Sequence, residues 1–318
     1  MAKPRKEQIS LSDTPYYHIV SRCVRRTFLC GFDTQTQQSY EHRKQWIVDR
    51  IRLLSSLFTI DLCSYAVMSN HYHLVIKIDP EQSIHWTDKD VAERWMAIYR
   101  GPLIVQRWLA GDTLSDAEKT TINSILTLWR KRLCDISWFM KCLNEPIARL
   151  ANKEDGCTGH FWESRYKSQA LLSENALLAC MVYVDLNPIR AGISKTPESS
   201  EYTSIKERVS PKWSIKQAVN QQFKETAIQL NSPTKPLLPF KQTSDIDPDN
   251  KLPMTLIEYI ELVDWTGRII REDKSGYIPN TEPSIAIRLN LQNDHWLASA
   301  IHFEESYRRK NTHKNNTS

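Results

Sequence analysis

The sequence predicts an α+β fold: one antiparallel sheet with packed helices, a helical insertion, and a small helical module at the C-terminal end. Three observations predict it. Short runs rich in β-branched and aromatic residues alternate with longer runs of helical periodicity. Two strand-like runs, 60–69 and 71–79, are parted only by Asn70, as in a hairpin. The chain has 318 residues, enough for two domains and a sizeable core.

The elements follow in order. "YYHIVSRCV" (16–24) reads as a strand. "SYEHRKQWIVDRIRLLSSLF" (39–58) places Trp46, Ile47, Ile51, Leu53, Leu54 and Leu57 at helical spacing with charges between them. "IDLCSYAVMS" and "HYHLVIKID" form the hairpin pair. Residues 86–152 are helix-rich, with Asp88 and Asp116 as expected N-caps. "GHFWESRYKSQALL" (159–172) reads as a strand entered from a loop. "SENALLACMVYVDLNPIRAG" (173–192) begins with Ser173 at a capping position, runs apolar through Leu177, Leu178, Met181, Val182 and Leu186, and ends near Pro188 and Gly192.

The order β-α-β-β-α(s)-β-α resembles a ferredoxin-like sandwich with helices on one face. Residues 1–210 form the main domain, with a helical insertion at about 86–140. Residues 211–251 read as a linker, rich in Pro, Ser and Asp over 230–252. "LPMTLIEYIELVDWTGRIIRED" (252–273) returns to helical periodicity, interrupted by Gly267. The module, residues 252–318, is expected to be an accessory DNA-binding unit, and its basic tail, "YRRKNTHKNNTS", to be disordered.

Composition narrows the function. Net charge is +5, which fits an anionic partner, and ten Trp and twelve Tyr supply flat rings. No apolar run approaches the ~20 residues of a bilayer span. The first residues, "MAKPRKEQISLSD", lack the apolar core of a secretory signal. Seven cysteines without C-x-x-C spacing read as reduced thiols, so a cytoplasmic protein is expected.

His71 and His73 sit two apart on a strand, so both project to one face, roughly 7 Å apart along it, while Tyr72 points to the other. Such a pair either fills a core or grips a cation; neutral imidazoles can converge on one. Tyr183 and Asn187 lie four apart in "MVYVDLNP" and share a helix face. If that face looks onto the histidines, Asn187 can offer its amide oxygen to the cation and Tyr183 its phenol to a substrate. The alternatives are a half-buried helix tyrosine and an ordinary Asn before Pro. Asp185 would point elsewhere on the helix.

Three stretches, "YAVMSNHYHLVI", "GHFWESRYKSQAL" and "YVDLNPIRAGI", occur in that order after "YYHIVSRCVRR". Over residues 10–210 the chain resembles the IS200-like transposase superfamily of single-tyrosine HUH nucleases, most of all its branch of REP-associated tyrosine transposases. The resemblance implies His71 and His73 as metal ligands, Asn187 completing the site, Tyr183 as nucleophile, and Mg²⁺ or Mn²⁺ as cofactor. It implies cleavage and rejoining of single-stranded DNA, from hairpin-forming repeats, through a 5′-phosphotyrosine. Relatives include both monomers and homodimers, and the sequence does not choose between them. The long segment 80–140 and the region 250–310 go beyond a minimal member.

Single-stranded DNA asks for cations and flat rings. Arg22, Arg25 and Arg26 follow the first strand. "FWESRYKS" offers Trp162, Arg165, Tyr166 and Lys167, with Arg165 suited to a guanine edge or a phosphate. "WRKRL" offers Arg130, Lys131 and Arg132, although a solvated charged face with core aromatics explains that stretch slightly better. Two other functions compete: a catalytically silent reader of DNA hairpins, and a zinc hydrolase built on His71 and His73, for which no third His or carboxylate stands at metal-site spacing.

Overall fold

The computed structural model describes residues 9–24, 30–33, 37–210, 235–242 and 250–289. Strand β1 (Tyr16–Arg22) is followed by a two-residue hairpin, β2 (Phe32–Asp33) and β3 (Gln38–Ser39), and by helix α1 (His42–Leu57). Next come β4 (Ile60–Val67) and β5 (His71–Ile78), then four helices: α2 (Asp88–Met96), α3 (Leu103–Leu109), α4 (Asp116–Leu133) and α5 (Ile136–Glu154). β6 (Lys167–Ala170) leads into α6 (Glu174–Asp185), the one-turn α7 (Asn187–Arg190) and α8 (Ser204–Val209). The C-terminal module contributes α9 (Leu256–Arg268) and α10 (Ile285–Arg288).

The main sheet runs β4-β5-β1-β6, and every neighbouring pair is antiparallel. This is the ferredoxin-like order, in which the first strand of the chain lies centrally beside the second strand of the hairpin. The expectation of helices on one face is corrected. β4 is buried along its whole length, so both its faces need cover. Tyr17, Ile19, Tyr72, Leu74 and Ile76 join a core with α1, α4 and α5, while Cys63, Ala66 and Val75 join a second core with α6, α8 and α9.

Local chemistry sets the helix ends. The caps of α2 and α4 are Thr87 and Ser115, one residue earlier than expected, each closing a capping box with Asp90 and Glu118. Asp88 and Asp116 stand instead in the first turn, where a carboxylate complements the helix dipole. Ser173 caps α6 as expected, accepting from the Ala176 N–H at 3.1 Å. Arg43 is fully buried on α1 and bonds Glu154 at 2.6 Å, with Asp155 as its second partner, which ties α1 to the end of α5.

Part of the segment read as a linker, residues 235–242, is packed. Leu237, Leu238 and Phe240 are buried, the Leu238 N–H donates to Leu62 O at 2.8 Å, and Lys235 pairs with Asp61 at 3.1 Å. Gly267 does not break α9; it lies one residue from its end, where a Cβ would crowd Ile278 and Leu186. The basic tail lies outside the described residues. None of the seven cysteines is joined in a disulfide. No helix among the described residues is long and apolar enough to cross a membrane.

Candidate functional site

The site grows from the strand register. β1 pairs with β5 so that Val20 stands opposite His73, His18 opposite Val75, and Arg22 opposite His71. Directly paired residues share a face. His18, Arg22, His71 and His73 therefore occupy one face of the sheet centre, and Tyr72 the other. His71 and His73 meet with ring centroids 4.9 Å apart. Tyr72 is fully buried among the apolar residues of the opposite face and donates its hydroxyl to Asn144 at 2.5 Å.

Helix α6 crosses the imidazole face. The ring of Tyr183 stands edge-on to His73 at 5.6 Å between centroids and to His18 at 6.1 Å. Tyr183 is 44% exposed, so its phenol can still meet an outside molecule. What holds α6 there is Asp185, two residues on and fully buried. Its carboxylate accepts from Ser204 Oγ at 2.5 Å, from the Ile205 N–H at 3.0 Å and from the Tyr259 hydroxyl at 2.5 Å. Ser204 in turn reaches Ser64 on β4 at 2.9 Å. One side of the helix thus clasps β4, α8 and α9 while the other presents Tyr183. Burial pushes the Asp185 carboxyl up to about 6 against those three donors.

The imidazoles are kept neutral. Burial and the charge of Arg22 push His71 down to about 4. Burial, with His71, His18 and Arg22 adding to it, pushes His73 down to about 2. His18 is also lowered by burial. Asn70 Oδ1 accepts from His71 Nδ1 at 2.6 Å, which leaves the ring's lone pair on Nε2. His18 Nε2 and His73 Nδ1 lie 2.9 Å apart with the rings stacked, so one donates to the other. With the proton on His73 Nδ1, its lone pair too lies on Nε2.

That Nε2 is buried and has no hydrogen-bond partner among the described residues. A buried polar atom without a partner costs ~1–3 kcal/mol, and a cation relieves that cost. Two neutral imidazoles, one with a buried orphan nitrogen, fit a divalent metal. Among the described residues no group of three or more His, Cys, Asp and Glu side chains is placed to hold a metal ion.

The other expected residues distribute unevenly. Asn187 opens α7, and its amide donates to the Tyr183 carbonyl at 3.5 Å. Arg22 belongs to the site. Arg25 and Arg26 lie outside the described residues. Arg165 and Lys167 are exposed. Tyr166 is buried and packs in the core, and Trp162 donates its indole N–H to Asn144 O at 2.8 Å while standing edge-on to Tyr72. These two rings support the sheet from behind. In "WRKRL", Trp129 is buried against Trp95, Arg130 pairs with Asp88 at 3.2 Å, Arg132 lies over Trp138 at 4.2 Å, and Lys131 alone is exposed. That stretch holds the helical insertion together.

Sequence reasoning missed His18. Its signal was present: a histidine in the first strand, at a position whose parity shares a face with the histidine pair once the central strands are antiparallel neighbours. Asp185, set aside as a ligand, turns out to be the anchor of the helix.

No family model matches the chain, and no curated protein matches it. Among solved structures it is similar to one described as a REP-associated tyrosine transposase bound to a REP hairpin, at 11% identity and a TM-score of 0.39, over 68% of this chain and 90% of that one. At that TM-score the likeness adds nothing to the strand order and register already described.

Proposed function

We propose that the chain is a metal-dependent tyrosine nuclease of transposase type, which cleaves and rejoins single-stranded, hairpin-forming DNA through a phosphotyrosine. One observation carries this reading: an exposed phenol, Tyr183, stands against a pair of neutral, sheet-borne imidazoles, 5.6 Å from the ring of His73. The ordered motifs of the sequence point the same way.

His71 and His73 would hold the metal through their Nε2 atoms, with Asn187 as the proposed further ligand. When bound, Mg²⁺ or Mn²⁺ supplies charge that drains a scissile phosphate and lowers the pKa of a nearby phenol. The residues of the chain do the rest. A phenol is a weak nucleophile at neutral pH without such help, and Tyr183 is the group that would need it. Attack by its oxygen on phosphorus, with loss of the phenol's proton, forms the tyrosyl phosphodiester and breaks the bond to the 3′-oxygen, which takes up a proton and leaves as a 3′-hydroxyl. The new ester keeps the energy of the broken one, so a 3′-hydroxyl can reverse the step and strands can be rejoined without ATP. Asp185 fixes the helix on which the nucleophile rides, and Asn70 and His18 orient the two imidazoles. Arg22 adds positive charge at the edge of the site.

The test is incubation with labelled single-stranded hairpin oligonucleotides and Mn²⁺, followed by a denaturing gel and peptide mapping. A covalent adduct on Tyr183, absent in Tyr183→Phe while DNA is still bound, is expected. Adduct that persists in Tyr183→Phe overturns the assignment. DNA that is bound but never cut, with or without Mn²⁺, leaves a hairpin reader instead.

A further inference from the structure

Tyr183 also lines a cleft that neither the motifs nor the imidazole pair account for. The cleft has a volume of about 470 Å³ and lies between α6 and the C-terminal module. Its floor is apolar, from Leu178, Val182 and Leu186 on one side and Met254 and Leu262 on the other. Arg190, Arg271 and Lys274 give it positive charge, and among the described residues no Asp or Glu is part of its lining. The groove between α5 and residues 159–166 differs: there Glu145 and Glu163 accompany Lys141 and Arg165.

The far wall is built into the fold. The Arg190 guanidinium donates to Ile269 O and Thr266 O, both at 2.7 Å, and Tyr259 holds Asp185. Gly276 packs so close to α7 that a Cβ there would overlap the Ile189 carbonyl oxygen. The charged rim is available. The side chains of Arg271 and Lys274 are 49% and 34% exposed. Both approach Asp273, at 2.9 and 3.5 Å, but a surface ion pair of this kind is worth only ~0–1 kcal/mol, so a phosphate can compete for the cations.

We infer that this cleft binds the nucleotides next to the phosphodiester that Tyr183 attacks, the apolar floor taking base or sugar and Arg271 and Lys274 taking phosphates. The inference rests on the reading of Tyr183 as a nucleophile toward single-stranded DNA. Its chemistry is that of single-strand binding generally: cations track the backbone, and apolar surface faces the bases. It makes the C-terminal module the second wall of the active site, attached to the catalytic helix itself.

The experiment measures binding of fluorescein-labelled oligothymidine by fluorescence anisotropy across a salt series, with the full-length chain. Each phosphate contact on a single strand contributes ~0.7 to the slope of log affinity against log salt. Arg271→Glu combined with Lys274→Glu is expected to weaken binding roughly tenfold at low salt and to reduce the slope by about 1.4. Lys119→Glu, on the exposed side of α4, is the control for general charge. If the reversal disturbs folding, Arg271→Gln with Lys274→Gln gives the same change of slope. A slope equal to that of the wild type overturns the cleft. Should wild-type protein still form its adduct on hairpin DNA in that case, the cleft alone has failed. Should wild-type protein bind no oligothymidine and form no adduct, the nuclease reading falls with it.

Discussion

β5 carries two kinds of aromatic neighbour on its two faces, and they meet opposite fates. On one face Tyr72 is sealed among apolar side chains, its hydroxyl held by Asn144 and its pKa raised by burial. On the other, His71 and His73 face Tyr183, which keeps 44% of its surface exposed. The strand's twofold alternation separates them absolutely: a residue one place along the chain is on the far side of the sheet. A hydroxyl adjacent in sequence to both histidines is sealed away from their face, while one far along the chain stands against it. The lesson is that proximity to a motif in the chain says little, and parity and register say nearly everything.

The comparison breaks most sharply through the two tyrosines. Tyr183→Phe should lower adduct formation by at least about a thousandfold, since Tyr183 is the phenol that stands against the His18 and His73 rings. Tyr72→Phe should keep it. Adduct lost in Tyr72→Phe, at unchanged stability, would dissolve the distinction between the faces.

The next largest effect concerns what holds the reactive face together. Asp185→Ala strips the acceptor from the Ser204 and Tyr259 hydroxyls and the Ile205 N–H, all buried. Denaturant unfolding should show a loss of about 2–4 kcal/mol. A loss no larger than that of an exposed substitution would mean that α6 is held in place by packing alone.

His18→Ala tests the residue that touches only one of the two proposed ligands, His73. Removing the partner of a metal-binding imidazole typically costs ~10–100-fold in metal affinity. Titration calorimetry with Mn²⁺ should show a loss in that range, and His160→Ala, at an exposed position, should show none. Equal affinities for wild type and His18→Ala would reduce the His18–His73 contact to simple stacking.

On the opposite face Tyr72→Phe should cost only ~1 kcal/mol of stability, the net worth of one hydrogen bond. The smallest signal is the pH dependence of the metal-free protein. His71 ionises near 6.5 when unfolded and at about 4 when folded, so the unfolded chain binds more protons between those values. Its contribution is whole above ~6.5 and is lost as pH falls toward about 4. His71→Ala should flatten the stability profile across that window, and a profile unchanged by the substitution would show that the imidazole is not buried in its neutral form.

Much of this could be read directly. The strand of the histidine pair, the hairpin, the insertion helices and the Ser173 cap all follow from local periodicity and capping chemistry, which depend on a few neighbouring residues. Alternation alone placed His71 and His73 on one face and Tyr72 on the other. Tyr183 and Asn187 could be put on one helix face by spacing, but which way that face looks is not a local property. It is decided by Asp185, whose partners lie on β4, α8 and α9, and by the apolar stripe that packs α6 beneath the sheet. Cover on both sides of the sheet was likewise hidden, because burial of β4 on two faces is visible only once its neighbours are known. Thr87 and Ser115 took the caps from the acids beside them, since a hydroxyl at that place completes a reciprocal box with the residue three places on. The long helices, the hairpin of the main sheet and the parity of the histidine strand were determined by the sequence alone, since these arise from interactions a few residues long, whereas the β2–β3 pair and α8 were not legible in it and the strand expected over 159–172 is confined to Lys167–Ala170. Only the tertiary structure decided that His18 joins the pair, that Tyr183 meets it, and that the C-terminal module closes a cleft beside them. Those depend on contacts between segments far apart in the chain, and only the assembled cores fix them.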